Sequence, residues 1–210
     1  MAVKINSNLR KSFFAWLLIK GDRYNFSIYD SFKKKLFENI SGNIAEIGPG
    51  TGINFNYMPS GTNWIGIEPN TAFTEYLLTQ AKKKGINAKL LVGSALELPL
   101  DDNSMDFVIG TLVFCSVEKI EKSLSEIIRV LKPGGKYIFI EHVAAQKNTP
   151  LRFIQNMINP INHFFADGCN CNRETWTFIK NCGFSEIVIN EHKIKSLKIH
   201  SPHIMGFAVK

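Results

Sequence analysis

One short stretch of this 210-residue sequence combines a carboxylate with a glycine-rich turn. Glu46 is followed, at steps of two residues, by Gly48, Gly50 and Gly52. Glycine allows the backbone to turn sharply and to approach a bound molecule closely, and free amides at the start of a helix can donate hydrogen bonds to that molecule. The stretch therefore predicts a nucleotide-type ligand at the carboxyl end of a strand, where open α/β sheets bind such ligands.

The residues around the turn restrict the kind of ligand. A dinucleotide fingerprint requires glycine at its sixth position, where this chain has Ile53, and a Walker phosphate loop requires a Gly-Lys-Ser/Thr sequence that does not follow here. The carboxylate of Glu46 suits a positively charged amine better than a pyrophosphate. S-adenosylmethionine carries an amine and a sulfonium and no phosphate at all, so it fits the turn best.

A second acidic residue supports a nucleoside site. Glu68 falls 20 residues after Gly48, at the end of the next predicted strand. A carboxylate in that place can accept hydrogen bonds from the hydroxyls of a ribose. The alternative is a structural turn with exposed acids, but an acid before the turn and another at the next strand end favour a ligand.

Short apolar runs alternate with helical patterns from residue 43 onward, which is typical of βα units and a parallel sheet. The patterns predict strands at 43–47, 63–68, 88–92, 105–114, 136–142, 185–194 and 203–209, and helices at 70–84, 118–131, 151–165 and 173–182. Pro160 should kink or split its helix, and Asn172 is the expected N-cap of the next one. We predict an α/β fold with a doubly wound, seven-stranded, mostly parallel sheet and an antiparallel edge strand.

The basic charge is concentrated at the start of the chain. Residues 1–41 hold eight Lys and Arg and three acidic residues, in a chain of net charge +7. The remainder is nearly balanced, which argues against a nucleic-acid channel across the catalytic face. We expect a single domain over 1–210, with 1–41 forming a basic helical lid and 43–210 forming the core.

The run 13–19 is apolar and is flanked by Lys11 and Lys20. It is too short to span a membrane and lacks the cleavage site of a signal peptide. It predicts either a first helix packed on the core or an interfacial membrane helix. We expect a cytoplasmic protein, with peripheral membrane contact through this segment left open; the sequence does not set the oligomeric state.

Four cysteines, Cys115, Cys169, Cys171 and Cys182, form no C-x-x-C pair. The C-x-C spacing of two of them is not the usual zinc geometry, and nothing in the sequence marks secretion. We interpret them as reduced packing residues and predict no metal site, with a metal or a reactive cysteine near His163 as the weaker alternatives.

The motifs within 43–142 resemble those of class I S-adenosylmethionine-dependent methyltransferases. The resemblance implies a Rossmann-like methyltransferase fold with S-adenosylmethionine as the cofactor. The residues that it assigns to the cofactor are Glu46, Gly48, Gly50, Gly52, Glu68, Ser94, Ala95, Leu96 and Thr111. Most relatives have an aspartate in place of Ser94, where it binds the adenine amine.

Stretches outside the cofactor motifs, at 112–117, 141–145, 167–176 and 202–210, resemble the thiol S-methyltransferases. Those enzymes methylate alkyl thiols, are associated with endoplasmic reticulum and lipid droplets, and begin with a long hydrophobic anchor that does not match here. The resemblance implies a small-molecule acceptor, first of all the sulfur of a thiol. The alternative is a lipid, quinone or other small-molecule O-, N- or C-methyltransferase.

A thiol acceptor must react as its thiolate, although an unperturbed thiol has a pKa of about 8.5. His142, which follows the fifth strand at the ligand-binding edge, is the first candidate base, and Asp167 is the second. Each has a structural alternative, because His142 can satisfy a backbone carbonyl and Asp167 can belong to a turn. Apolar residues of the helix at 151–165, among them Met157 and Phe165, are expected either to line an acceptor pocket or to pack in the core.

Overall fold

The apolar runs become the strands of one sheet. In the computed structural model, which describes residues 7–210, the strands are β1 (Asn43–Ile47), β2 (Asn63–Ile67), β3 (Asn87–Leu91), β4 (Met105–Thr111), β5 (Leu131–His142), β6 (Glu186–Lys193) and β7 (Pro202–Val209). Their order in the sheet is β3-β2-β1-β4-β5-β7-β6.

Strands β1 to β5 pair in parallel, and β7 runs antiparallel between β5 and β6. The predicted seven-stranded, mostly parallel sheet with an antiparallel edge is therefore confirmed, and the reversed strand is the one next to the edge. The direction of winding changes between β1 and β4. Ligands of such sheets bind at this switch point, beyond the carboxyl ends of the strands.

The helices are α1 (Ser7–Leu36), α2 (Thr74–Lys83), α3 (Ile120–Val130), α4 (Pro150–Phe165) and α5 (Thr175–Asn181). Short 3-10 turns lie at Ile53–Tyr57, Thr71–Phe73 and Lys195–His200. Within residues 7–210, no helix is both long enough and apolar enough to cross a bilayer.

Consecutive residues of the central strands are buried in different apolar clusters. Ile44 and Ile109 pack in the cluster that contains α2, whereas Ala45 and Val108 pack in the cluster that contains α3. Because successive side chains of a strand point to opposite faces, both faces of the sheet are covered. This arrangement confirms the predicted doubly wound fold.

Pro160 does not split its helix, because α4 runs unbroken through it; the expected split is therefore wrong, and the alternative of a kink stays a prediction. A proline removes one backbone hydrogen bond, and side chains on either side of it anchor the helix to the following loop. Asn159 donates to the Asn170 side chain at 3.1 Å, and Asn162 donates to the Cys169 carbonyl at 2.7 Å.

The predicted N-cap at Asn172 is also wrong. Helix α5 begins at Thr175, and its N-cap position is occupied by Glu174. The side chain of Asn172 turns instead toward α4, where it donates to the Asn156 side chain at 2.9 Å. A partner on another helix therefore takes the place of the local cap.

Gln155 of α4 joins three segments near the carboxyl edge of the sheet. Its side chain is fully buried. Nε2 donates to the carbonyls of Val143 at 3.2 Å and Ile199 at 2.8 Å, and Oε1 accepts from the amide of Ala145 at 2.7 Å. The three bonds hold the chain that leaves β5 beside the turn that ends at His200.

We predict that Gln155→Met lowers the free energy of unfolding by about 2–4 kcal/mol, because it leaves two carbonyls and one amide buried without partners. Urea denaturation measures the change. Gln146→Met is the control, since Gln146 is exposed and its replacement should alter stability by no more than about 0.5 kcal/mol. Equal small losses in both variants would contradict the anchoring role.

Candidate active site

A cavity of about 650 Å³ opens at the carboxyl ends of β1, β2, β4 and β5. This volume lies within the range of small-molecule sites, about 300–1,000 Å³. Its lining includes these sequence-predicted residues: Gly48, Gly50, Glu68, Ser94, Ala95, Leu96, Thr111, His142 and Asp167. Glu46 and Gly52 lie outside the lining.

The glycines of the turn serve two different purposes. Gly50 has a positive φ of 53°, and a Cβ built on it would meet only the far edge of the Phe73 ring at 4.0 Å, so this position faces open space in the cavity. Gly52 also has a positive φ, of 74°, but a Cβ there would collide with Phe55 and Leu77. Gly50 therefore leaves room for a ligand, whereas Gly52 leaves room for the core.

Glu46 lies beneath the turn rather than in the cavity wall. It is 1% exposed, its Oε1 accepts from Asn54 at 2.8 Å, and its Oε2 accepts from the Trp64 indole at 2.9 Å. Burial raises the pKa of Glu46 above its ordinary value, although both hydrogen bonds lower it. The direct contact of Glu46 with a ligand amine stays a prediction. This carboxylate is already paired with protein donors, and it reaches the lining only through Asn54, which also donates to Thr111.

Glu68 lies at the end of β2 and joins it to the glycine turn. Its two oxygens accept from the amides of Gly50 at 3.1 Å and Asn70 at 2.8 Å. Burial raises the pKa of Glu68, these hydrogen bonds lower it, and the nearby charge of Asp167 raises it again. Two neighbouring acids in the wall of a cavity favour a cationic ligand, which fits the sulfonium and the amine of S-adenosylmethionine.

The stretch after β3 forms a small turn at the same edge. Ser94 Oγ accepts from the amide of Leu96 at 3.2 Å, and Ala95 is buried. The hydroxyl oxygen of Ser94 is thus engaged locally. The apolar surface of this turn can cover one face of a base.

Helix α1 contributes a part of the lining that sequence reasoning did not assign. The residues are Phe14, Leu18, Asp22, Tyr29 and Lys33. Their spacings of four, four, seven and four residues place them on one side of a helix, so the signal was present in the sequence. Asp22 accepts from the Thr51 hydroxyl at 2.8 Å, which fastens α1 to the glycine turn.

Lys33 is a buried cation in this wall, with 3% of its surface exposed. Its Nζ lies 5.8 Å from the ring centroid of Tyr29 and 5.9 Å from that of Tyr57. Burial lowers the pKa of Lys33 to about 8, although the charges of Glu46 and Asp22 raise it. A ligand carboxylate beside this ammonium would supply a counter-charge.

Beyond the ends of β4 and β5, the cavity lining contains a cluster of two cysteines and a histidine. The Sγ atoms of Cys115 and Cys169 and a ring nitrogen of His142 all lie within 4.8 Å of one another. His142 Nε2 is 3.1 Å from Cys169 Sγ, and the ring of His200 packs edge-on against His142 with centroids 4.7 Å apart. Hydrogen bonds from Cys115 and His142 hold the pKa of Cys169 below its usual range, while the contact with Cys169 and burial raise the pKa of Cys115.

A buried carboxylate positions the loop that carries Cys115. The chain leaves β4 at Leu112, which has a positive φ of 59°, so β4 ends before the predicted 114. Glu141 Oε1 then accepts from the amides of Val113 and Phe114, both at 3.0 Å. Burial raises the pKa of Glu141 to about 8 in spite of these two bonds.

Two other groups beside the cluster have partners of their own. The ring nitrogen Nε2 of His203 and the hydroxyl of Tyr29 share a hydrogen bond of 2.8 Å. Burial lowers the pKa of His203 to about 4, so that its imidazole is neutral at pH 7. Asp167 lies 3.5 Å from the Arg10 guanidinium and has a positive φ of 48°. The Asp167–Arg10 contact links the loop after α4 to α1.

The apolar side of α4 is neither a pocket wall nor part of the core, which corrects both expectations. Met157 is 63% exposed and Phe165 is 66% exposed, and neither lines the cavity. The inner side of the helix is taken by Gln155, Asn159 and Asn162, which hold the neighbouring loops. The apolar residues therefore face outward.

Comparison with known proteins agrees with this geometry. The family described as a methyltransferase domain matches residues 45–139. A solved S-adenosylmethionine-dependent methyltransferase of Thermotoga maritima aligns with a TM-score of 0.66 and 22% identity, covering 94% of this chain and 98% of that one; at that identity the likeness concerns the fold. Together with the full-length relatives described next, the fold and the family match define this chain as an S-adenosylmethionine-dependent methyltransferase.

Relatives that align over nearly the whole chain specify the family more closely. The chain is 35% identical over 212 residues to the thiol S-methyltransferase TMT1A of Homo sapiens, covering 95% of this chain and 87% of that protein. It is 37% identical over 215 residues to the human thiol S-methyltransferase TMT1B, covering 96% and 88%. The chain belongs to the family of these thiol S-methyltransferases.

Proposed function

We propose that this protein transfers the methyl group of S-adenosylmethionine to the sulfur of a small thiol. The observation that carries the proposal is the cluster of Cys115, His142 and Cys169, which lines the same cavity as the glycine turn. The names of the relatives specify thiols as their acceptors. Polar groups that can stabilise a thiolate stand where an acceptor must enter.

The cofactor supplies a methyl group on a positively charged sulfur, which leaves as a neutral thioether. The chain is then required mainly to hold the two reactants in position. We propose that Glu68 binds the ribose, that the backbone of Gly48 and Gly50 approaches the methionine end, and that the turn at 94–96 covers the adenine. The nine-tenths burial of Glu68 keeps water from competing for that carboxylate.

We propose Lys33 as the partner of the cofactor's carboxylate. It is the buried cation of a wall that also contains Asp22 and Glu68. S-adenosylmethionine carries one negative and two positive charges, which this pattern complements. Because Lys33 lies on α1, the same contact would make α1 a lid that closes over the cofactor, within a chain that works as one domain.

We predict that Lys33→Gln lowers the affinity for S-adenosylmethionine about tenfold, which is the loss expected for one charge-assisted hydrogen bond. Below pH 8 the ammonium is charged and contributes to binding. As the pH rises through about 8, the pKa of Lys33, this contribution is lost. Calorimetry across pH 7–9.5 should therefore give a steeper decline in affinity for the unaltered protein than for the variant.

The comparison with the variant is needed because the α-amino group of the ligand titrates in the same range. Lys35→Gln is the matched control, since Lys35 is exposed on the same helix and its replacement should leave both affinity and pH profile unchanged. Parallel pH profiles for the unaltered protein and Lys33→Gln would rule out the assignment.

His142 is the residue that we propose to act on the acceptor. It is 6% exposed and lines the cavity beside Cys169. A buried imidazole at this place can take the thiol proton or hold the thiolate. Asp167, which is engaged by Arg10 and acts electrostatically on Glu68, suits the cationic cofactor better than the acceptor.

The central test offers a panel of small alkyl thiols, phenols, amines and a short-chain quinol with methyl-labelled cofactor. We expect thiols to be methylated at least tenfold faster than the others. His142→Ala should lower the turnover of the thiol about 100-fold or more, within the range of a lost acid–base group, and should leave cofactor affinity within about twofold. His163→Ala, at an exposed position near the cavity, is the control. Preferred methylation of the quinol or an amine would favour the alternative acceptor class.

We also propose that a lipid surface binds the outer side of α1 and α4. The outer apolar surface consists of Leu9, Phe13, Trp16, Leu17, Phe153, Met157, Ile161 and Phe165, each more than half exposed. Arg10 joins the two helices through the Phe164 carbonyl at 3.4 Å. Apolar stripes flanked by Lys11 and Lys20 are typical of interfacial helices.

Met157→Glu should lower binding to phosphatidylserine-containing vesicles about tenfold, because it places a negative charge in the interface. Co-sedimentation measures binding, and methylation of a water-soluble thiol should be unchanged. Leu78→Glu is the control, since Leu78 is an exposed apolar residue of α2 outside this surface. Similar vesicle binding by both variants and the unaltered protein would contradict the proposal.

A further inference from the structure

We propose that Cys115, His142 and Cys169 form a binding site for a divalent metal ion of the zinc type, at the acceptor end of the cavity. The site itself depends only on these side chains. The role given to it below, activation of the acceptor sulfur, rests on the proposed function.

The three side chains come from separate parts of the chain and meet at one point. Cys115 follows β4, His142 ends β5, and Cys169 follows α4. They are 3%, 6% and 8% exposed, and their donor atoms all lie within 4.8 Å of one another. Tetrahedral zinc, with bonds of about 2.0–2.3 Å, sets its ligand atoms about 3.5–3.8 Å apart. Small side-chain shifts would therefore bring the three donors around one ion.

The donor set selects the kind of metal. Two cysteine sulfurs and one imidazole are ligands for zinc and similar ions, whereas magnesium and calcium prefer oxygen. Two cysteines with one histidine is also a set used by catalytic zinc, in which the fourth position stays open. All three residues line the cavity, so the open position faces the space where an acceptor enters.

The surroundings of His142 argue against a purely structural role. Its Nε2 faces Cys169 at 3.1 Å, and its Nδ1 is buried and finds no hydrogen-bond partner within residues 7–210. A histidine that satisfied a backbone carbonyl would use one of these nitrogens to do so. A buried polar atom without a partner costs free energy, and this one belongs to the ring whose other nitrogen faces Cys169.

The backbone around the cluster is held firmly. Glu141 fixes the loop of Cys115 through two amide hydrogen bonds, and Asn162 fixes the carbonyl of Cys169 at 2.7 Å. A metal site requires ligands that are oriented by such outer contacts. The backbone positions that bring the two sulfurs together are thus built into the fold.

Methyl transfer to a metal-bound thiol requires no reactant other than the acceptor and the cofactor. An acceptor thiol that binds the open position gives up its proton to water and remains as a metal-bound thiolate. Its sulfur forms a bond to the methyl carbon while the carbon–sulfonium bond breaks, and the electron pair of that bond stays on the departing thioether. The methylated product is a neutral thioether and a weaker ligand than a thiolate, so it can leave. His142 then acts through the metal instead of accepting the proton itself.

The test titrates Co²⁺ into the full-length protein after removal of metal with a chelator under reducing conditions. We expect one Co²⁺ per chain, with a thiolate-to-cobalt charge-transfer band and the visible bands of tetrahedral cobalt. Cys169→Ser and Cys115→Ser should each bind at least tenfold more weakly. Cys171→Ser is the matched control, because Cys171 is equally buried and only two residues away, but its sulfur contacts Gln155 and Asn159 instead.

A second measurement covers the case in which a serine variant fails to fold. In the unaltered protein, alkylation of Cys115 and Cys169 should be at least tenfold slower with Zn²⁺ than after chelation, and alkylation of Cys182 should not change. No charge-transfer band in the unaltered protein, an equal loss of binding in Cys171→Ser, or a Cys115–Cys169 disulfide in its place would overturn the metal site.

The same protein separates this proposal from the proposed function. If the cysteines bind Co²⁺ but no thiol is methylated, the metal site is supported and the proposal that the acceptor is a thiol is contradicted. Thiol methylation that survives chelation at full rate would leave the acceptor standing and overturn the activating role of the metal, with His142 as the direct base.

Discussion

The architecture of the site depends on three carboxylates buried at the carboxyl ends of parallel strands. Glu46 on β1, Glu68 after β2 and Glu141 on β5 are each at most 6% exposed. A buried carboxylate must be compensated by hydrogen bonds. The donors are Trp64 of β2 and Asn54 for Glu46, the amides of Gly50 and Asn70 for Glu68, and the amides of 113–114 for Glu141. Each acid therefore shapes the loop beside it, and burial raises the pKa of all three.

Glu68 and the neighbouring Asp167, which both line the cavity, give it its electrostatic character. Concentrated negative charge in a low-dielectric wall favours a cation, which is the charge of a sulfonium nucleoside. Helix α1 completes the wall with Asp22 and the buried ammonium of Lys33. The methionine end of S-adenosylmethionine has both signs of charge, so a wall with both signs can orient it. Orientation is what a displacement with a neutral leaving group requires from an enzyme.

Much of this arrangement could be predicted because it is local in sequence. The glycine turn, the position of Glu68 and the succession of strands and helices along the chain follow from spacing and periodicity. Other features depend on contacts between distant residues. Cys115 and Cys169 are 54 residues apart, and no spacing rule predicts that two loops bring their sulfurs together. The hydrogen bond from Trp64 to Glu46 could not be predicted for the same reason, since Trp64 belongs to the neighbouring strand. The outward face of α4 could not be read from its apolar residues, because the polar inner side bonds to loops rather than to solvent.

Helix α4 has an exposed apolar side and a polar side that holds the loops of the cysteine–histidine cluster. Its outer side presents Phe153, Met157 and Phe165 to the surroundings, while Asn162 on its inner side holds the loop of Cys169 and Gln155 holds the chain after His142. A lipid surface that bound the outer side would therefore stabilise the helix on which the cysteine–histidine cluster depends. Apolar thiols concentrate at such a surface, close to the cavity that would receive them. On the proposed membrane binding, one amphipathic helix would bring the acceptor near and keep the groups that meet it in position, and its apolar residues would then serve the surface rather than the core.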